Sequence, residues 1–149
     1  MVLTMKGEPV KYEYHTSVQW TEKKKGVLHA EGKPDITIAC PPEFGGHPGI
    51  WSPEDLFLAS VEVCILTTFL WFVQKYQLPL ISYASTAHGT VQLVGGTFQF
   101  TTITIHIQLG VSFKEKFGDI DTLIKKVKRA CLISNSITTD VHIDVEIAE

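Results

Sequence analysis

The chain has 149 residues, 44% of them hydrophobic and 19% charged, with a formal net charge of −3. That is the length of one domain with material for a core, in the composition of a soluble globular protein. There is no basic excess and no face dense in Lys and Arg, which argues against nucleic-acid binding. The start, Met1 to Lys11, lacks an apolar run of signal-peptide length and a small-residue cleavage site. Three cysteines, Cys40, Cys64 and Cys131, make no even framework. Both features point to the cytoplasm, where thiols are free, catalytic or transiently bridged.

In chain order, residues 10–20 alternate with a two-residue period and predict a strand with Val10, Tyr12, Tyr14, Thr16, Val18 and Trp20 on one face. A charged turn, Thr21 to Gly26, follows. Short strands are expected at Val27 to Ala30 and Asp35 to Cys40, broken by Gly32-Lys33-Pro34. These three segments read as an antiparallel meander. Pro41 to Ile50, rich in Pro and Gly, can continue neither helix nor strand and delivers the chain to its longest apolar segment.

That segment, Trp51 to Tyr76, is a helix with Ser52 as N-cap residue, Pro53 in the first helical position, and Glu54 and Asp55 against the positive end of the dipole. From Leu56 to Val73 only Ser60, Glu62, Thr67 and Thr68 are polar. The run is long enough to raise a membrane span. Glu62 near its centre and strand patterns on both sides favour a buried soluble helix instead. A helix apolar on nearly all sides is expected to be buried all round, which one small domain can hardly achieve, so a partner subunit is expected.

Two β-rich runs, 81–94 and 97–109, flank Gly95-Gly96 and predict a hairpin with a two-residue turn. In the second, Phe98, Phe100, Thr102, Thr104, His106 and Gln108 are expected on one face. Ile103, Ile105, Ile107 and Leu109 are expected on the other, against a helix. Asp119 caps a second helix, about 120–131, whose apolar stripe runs Ile120, Leu123, Ile124, Val127 and Ala130/Cys131. Lys125, Lys126, Lys128 and Arg129 read as its solvated face. Val141 to Ile147 alternates strictly and is the last strand. The order predicts one α+β domain over 1–149, with helices lying on antiparallel sheet.

None of the six histidines has metal-ligand spacing with another His or Cys, and no phosphate-binding glycine loop or G-x-S-x-G elbow is present. The reading calls for no metal and no cofactor. Cys64 lies mid-helix in an apolar setting, where a lone cysteine is ordinarily structural. Cys131 ends the second helix's apolar stripe, and two helices packed through these stripes can bring the sulfurs within bridging distance. Cys40 reads as structural or incidental.

Ser52-Pro53-Glu54-Asp55-Leu56-Phe57, ending at Cys64, resembles the (N/S)-P-E-x-L-(F/L)…C helix of the OsmC/Ohr family. Ala130-Cys131-Leu132-Ile133-Ser134-Asn135 resembles its second motif, A-x-C-P-x-S-N/K, and Pro42-Glu43-Phe44-Gly45-Gly46 its Pro/Gly loop. The resemblance implies an intertwined homodimer with the cysteine helices at its centre and two active sites at the interface. It also implies a thiol-dependent peroxidase acting on organic or lipid hydroperoxides, in oxidative stress defence. Cys64 would be the peroxidatic thiolate and Cys131 the resolving thiol, with an external dithiol as reductant.

Glu54 matches the family's glutamate. The arginine that glutamate holds has no match, since Arg129, on the second helix, is the only arginine. Counting back from the Pro/Gly loop puts Lys23 near that position, beside Lys24 and Lys25, with a solvated turn as the competing reading. A second departure is Leu132, where the family usually has proline. Glu54 and Cys64 are ten residues apart, about 15 Å along a helix axis, so Glu54 is expected to reach the partner subunit's Cys64 if it acts there. The alternative function is a family member weakened in catalysis that binds a small apolar ligand in the dimer groove.

Overall fold

The computed structural model describes residues 9–148. The reading of the first residues as lacking a signal segment therefore lies largely outside the described part. The chain divides into two compact units, the first running to Pro53 and the second beginning at Glu54.

The first unit is the expected antiparallel meander, β1 (Ser17–Glu22), β2 (Lys25–His29) and β3 (Ile36–Ala39), paired in sequence order. The first strand is shorter than its alternation suggested. β2 supplies partners only back to Ser17, opposite His29, and residues 9–16 form no strand. Alternation cannot substitute for a neighbour, because strand N–H and C=O groups need a ladder to bond to. After β3 a short 3-10 turn, Pro42–Phe44, folds the loop back. A Cβ at Gly46 would sit 1.7 Å from the Cys40 carbonyl oxygen, so only glycine allows that approach.

The second unit comprises α1 (Pro53–Tyr76), β4 (Leu80–Val94), β5 (Thr97–Val111), α2 (Ile120–Ala130), α3 (Leu132–Asn135) and β6 (Asp140–Ala148). Gly95 and Gly96 take φ of 57° and 82°, the positive values that a tight β4–β5 turn requires. β5 is the central strand of the sheet β4-β5-β6. Its core face, Ile103, Ile105, Ile107, Leu109 and Val111, is at most 2% exposed. α1 contributes Val61, Ile65, Phe69 and Phe72 to the same core, and α2 contributes Leu123 and Val127. Each fully buried side chain of this kind stabilises the fold by roughly 1.5–3 kcal/mol before entropy is counted.

Two expectations change here. The sheet is mixed, because α2 and α3 carry the chain back across it and β6 pairs parallel to β5. Phe100 leaves the face expected for it. Thr90 pairs with Thr102 but Val91 with Phe100, so Thr101 is an extra residue, a bulge that reverses the alternation. Phe100 consequently packs toward α1, its ring 4.8 Å from that of Phe57. Within the single chain α1 is not buried all round, as is expected of one small domain: Val63, Leu70 and Trp71 are 55%, 40% and 45% exposed. By length and composition α1 is apolar enough to cross a membrane, yet one of its faces is committed to the β5 core.

Candidate thiol site

The site begins with a corner in the chain. Cys131 has φ −67° and ψ 110°, outside the helical region, so α2 ends there. Its N–H still bonds to the Val127 carbonyl (2.9 Å), and its own carbonyl accepts from the Asn135 N–H (3.1 Å). One residue thus closes α2 and caps α3. The Asn135 side chain braces the corner by donating to the Arg129 carbonyl at 2.7 Å.

The opening amides of any helix have no carbonyl a turn behind them. In α3 those of Leu132 and Ile133 lie near enough to the Cys64 sulfur to favour its ionised form. Thr68, one turn further along α1, and the thiol of Cys131 act on that sulfur in the same direction. Cys131 is fully buried, Cys64 is half-buried, and both are free thiols. The Ser134 hydroxyl donates to Cys131 Sγ at 3.2 Å.

These contacts drive the two thiols apart electrostatically. Burial pushes the Cys64 thiol up, but hydrogen bonds from the Ile133 amide, the Cys131 thiol, Thr68 and the Leu132 amide outweigh it and bring the thiol below its ordinary value. Burial also pushes Cys131 up. Ser134 opposes that rise, while the bond to Cys64 and the repulsion between the two sulfurs reinforce it, and the thiol ends above its ordinary value. The first proton therefore leaves Cys64, and Cys131 keeps its own and offers it to the neighbouring sulfur.

Of the predicted site residues, Cys64 and Cys131 are brought together. Glu54 is not gathered with them: α1 is continuous between it and Cys64, which keeps the axial separation at about 15 Å. Glu54 Oε2 is buried with no hydrogen-bond partner. Lys23 belongs to the first unit, in the β1–β2 turn, at φ 47° and with its carbonyl accepting from Trp20 Nε1 at 2.9 Å. Its neighbours are engaged, Lys24 Nζ with the Phe44 carbonyl (2.9 Å) and Lys25 with Glu22 (3.7 Å). Glu62, on another face of α1 from Cys64, accepts from Ser85 of β4 at 2.6 Å.

Sequence reading missed Thr68, Ser134 and the two amides. The spacings Cys64–Thr68 and Cys131–Ser134 are one helical turn each and could have signalled the side chains. Backbone donors leave no mark in residue type. Among the described residues, no group of three or more His, Cys, Asp or Glu side chains is placed to hold a metal ion.

A family model described as OsmC-like protein matches residues 46–146. The chain belongs to the OsmC-like family. The uncharacterised protein YmaD of Bacillus subtilis (strain 168) is 21% identical over 139 residues, 91% of this chain and 93% of that one. An OsmC-like protein of unknown function from Vibrio cholerae superimposes with a TM-score of 0.83 at 19% identity, over 91% of this chain and 100% of its own. An organic hydroperoxide resistance protein OsmC from Legionella pneumophila gives 0.73 at 18% identity, over 95% and 100%. At these identities the likeness is one of fold, and it confirms an OsmC-like α+β chain with one long helix.

Proposed function

We propose that this OsmC-like chain is a thiol-dependent peroxidase for organic hydroperoxides, acting in the cytoplasm in oxidative stress defence. The reading is carried by the pair itself: two free thiols, Cys64 and Cys131, near enough to act on each other's ionisation, which is favoured at Cys64. Solved relatives named as organic hydroperoxide resistance proteins support the substrate class.

In the proposed cycle the Cys64 thiolate attacks the terminal peroxide oxygen and the O–O bond breaks. The alkoxide takes a proton and leaves as alcohol, and Cys64 is left as a sulfenic acid. Cys131, as thiolate, attacks that sulfur and expels hydroxide, which is protonated to water. The product is a Cys64–Cys131 disulfide, which an external dithiol reduces through a mixed disulfide.

The functional unit in this reading is an intertwined homodimer. The exposed Val63, Leu70 and Trp71 of α1 are the kind of apolar surface a second copy covers. In the proposed dimer Glu54 acts at the partner subunit's thiol site, together with a cation. Lys23 is the proposed cation, because Lys24 and Lys25 already have partners. Purified protein mixed with cumene or t-butyl hydroperoxide and a dithiol is expected to consume peroxide, and the Cys64→Ser variant is not. Equal consumption by Cys64→Ser, or none by the parent, rejects the peroxidase reading; the second result leaves the apolar-ligand alternative.

A further inference from the structure

We infer that a cavity at the ends of α1 and α2 remote from the thiols is a seat for a small organic anion, a carboxylate carried on an aryl or short apolar tail. The cavity has a volume of about 420 Å³. It lies where the end of α1, the 3-10 turn Lys114–Phe117 and the first turns of α2 meet. Tyr76 on its wall is twelve residues from Cys64, about 18 Å along α1, so this is not the thiol site. Its floor is apolar: Leu78, Phe117 and Leu123 line it, and the last two are 6% and 5% exposed. Gly118, at φ 59°, turns the chain from that floor into α2. The volume is at the small end of ligand sites, with room for one ring and a short chain.

Charge identifies the head group. Lys126 Nζ donates to Tyr76 Oη at 3.2 Å and stands 5.1 Å from the centre of the Tyr76 ring. Lys75 Nζ stands 5.7 Å from the centre of the same ring. Lys116, also on the rim, holds its Nζ 5.2 Å from the centre of the Phe113 ring. None of these three ammonium groups is in an ion pair with a carboxylate among the described residues. An aromatic face offsets part of an ammonium's charge and leaves the rest to be met. Of the two carboxylates on the rim, Asp119 is already bound to the Asp121 N–H and the Thr122 hydroxyl, so Glu115 alone is left to answer three lysines. Tyr76 Oη accepts from Lys126 and keeps its own proton for a second acceptor. An ammonium and a phenol already in contact make a two-donor seat for one carboxylate, with little side-chain freedom left to lose. An uncharged ligand would leave that pair unused, and a bare inorganic anion would leave the apolar floor wet.

The test titrates the whole chain with 4-phenylbutyrate and follows ¹H–¹⁵N chemical shifts. 4-Phenylbutanol serves as the uncharged analogue and inorganic phosphate as the anion without a tail. Phenylbutyrate shifts are expected to saturate and to gather at residues 76–78 and 115–126, and each analogue is expected to bind at least about fivefold more weakly. Lys126→Gln is expected to weaken phenylbutyrate about fivefold to tenfold, between the loss of an exposed ion pair and that of a hydrogen bond to a charged group. Tyr76→Phe keeps the ring, removes the phenol and is expected to weaken it about threefold to tenfold. Lys128→Gln makes the same change of charge on α2 outside the cavity and is expected to bind with the parent. The inference is overturned by absence of saturable shifts, by shifts centred on Cys64 and Cys131, or by an analogue that binds as tightly as the acid. Parent-like binding by Lys126→Gln, or equal loss in Lys128→Gln, also overturns it. No arm uses peroxide or a dithiol, so the outcome is independent of the peroxidase reading.

Discussion

Ser134→Ala tests the return half-cycle of the proposed peroxidase. Ser134 Oγ donates to Cys131 Sγ at 3.2 Å, and Cys131 is fully buried. When a dithiol attacks the disulfide at the more accessible Cys64 sulfur, Cys131 leaves with the electron pair. It then becomes a buried thiolate that burial has already made costly. A hydrogen bond to a charged group is worth about 1.5–3 kcal/mol. With about half the charge developed in the transition state, its loss costs ~0.8–1.5 kcal/mol, or roughly a 4- to 12-fold slower step. The assay is stopped-flow reduction of pre-oxidised protein by dithiothreitol at pH 7, alongside single-turnover oxidation of reduced protein by cumene hydroperoxide. Reduction is expected to slow by that factor, and oxidation at Cys64 to change less than about twofold, within the scatter of a distant hydrogen bond. Unchanged reduction, or equal slowing of both steps, refutes the assignment of Ser134 to the leaving sulfur.

Further outcomes follow from other contacts. As pH rises, alkylation of Cys64 should set in before that of Cys131, since one thiol lies below and the other above its ordinary value; the reverse order by peptide mass spectrometry contradicts the described hydrogen bonds. Tyr83 is pushed up to about 12, first by burial, with Glu62 adding to it. The folded chain thus keeps a proton that the unfolded chain releases near pH ~10, so stability falls as pH rises through that window. Glu62→Gln should bring the late phenolate absorbance phase to lower pH, and Tyr83→Phe should remove it. Ile105→Ala, at a position 0% exposed in the central strand, is expected to cost about 2–5 kcal/mol in urea unfolding. Ile81→Ala, at 69% exposure, is expected to stay within about 0.5 kcal/mol of the parent.

The elements with strong local signals were readable in the residues. α1 starts at the proline named for it, and Asp119 caps α2 by accepting from the Asp121 N–H. The Gly95-Gly96 turn and the aliphatic face of β5 stand where alternation put them. What escaped is what tertiary context decides. Val10 to Thr16 alternate like a strand but pair with no strand among the described residues. Thr101 looks like any strand threonine, yet as a bulge it moves Phe100 to the core side. The parallel direction of β6 depends on the crossover rather than on its own pattern. At the site, pairing Cys64 with Cys131 was legible from two apolar stripes. The hydroxyl of Ser134 on the Cys131 sulfur was not singled out, because a search for a side-chain cation passes over neutral donors.

The bulge has a mechanical consequence. β6 accompanies β5 only from Thr102 to Gly110, so beyond Thr101 the hairpin continues as two strands alone. Leu93 and Phe98 in this stretch are about 60% exposed. Two strands are marginal in water without a third. The ribbon is therefore built in two grades: a stem locked on both sides of β5, and a tip that opens at a lower free energy. Amide exchange along β5 should step from slow to fast within a residue or two of Thr101, and any surface that seats on Leu93 and Phe98 would erase the step.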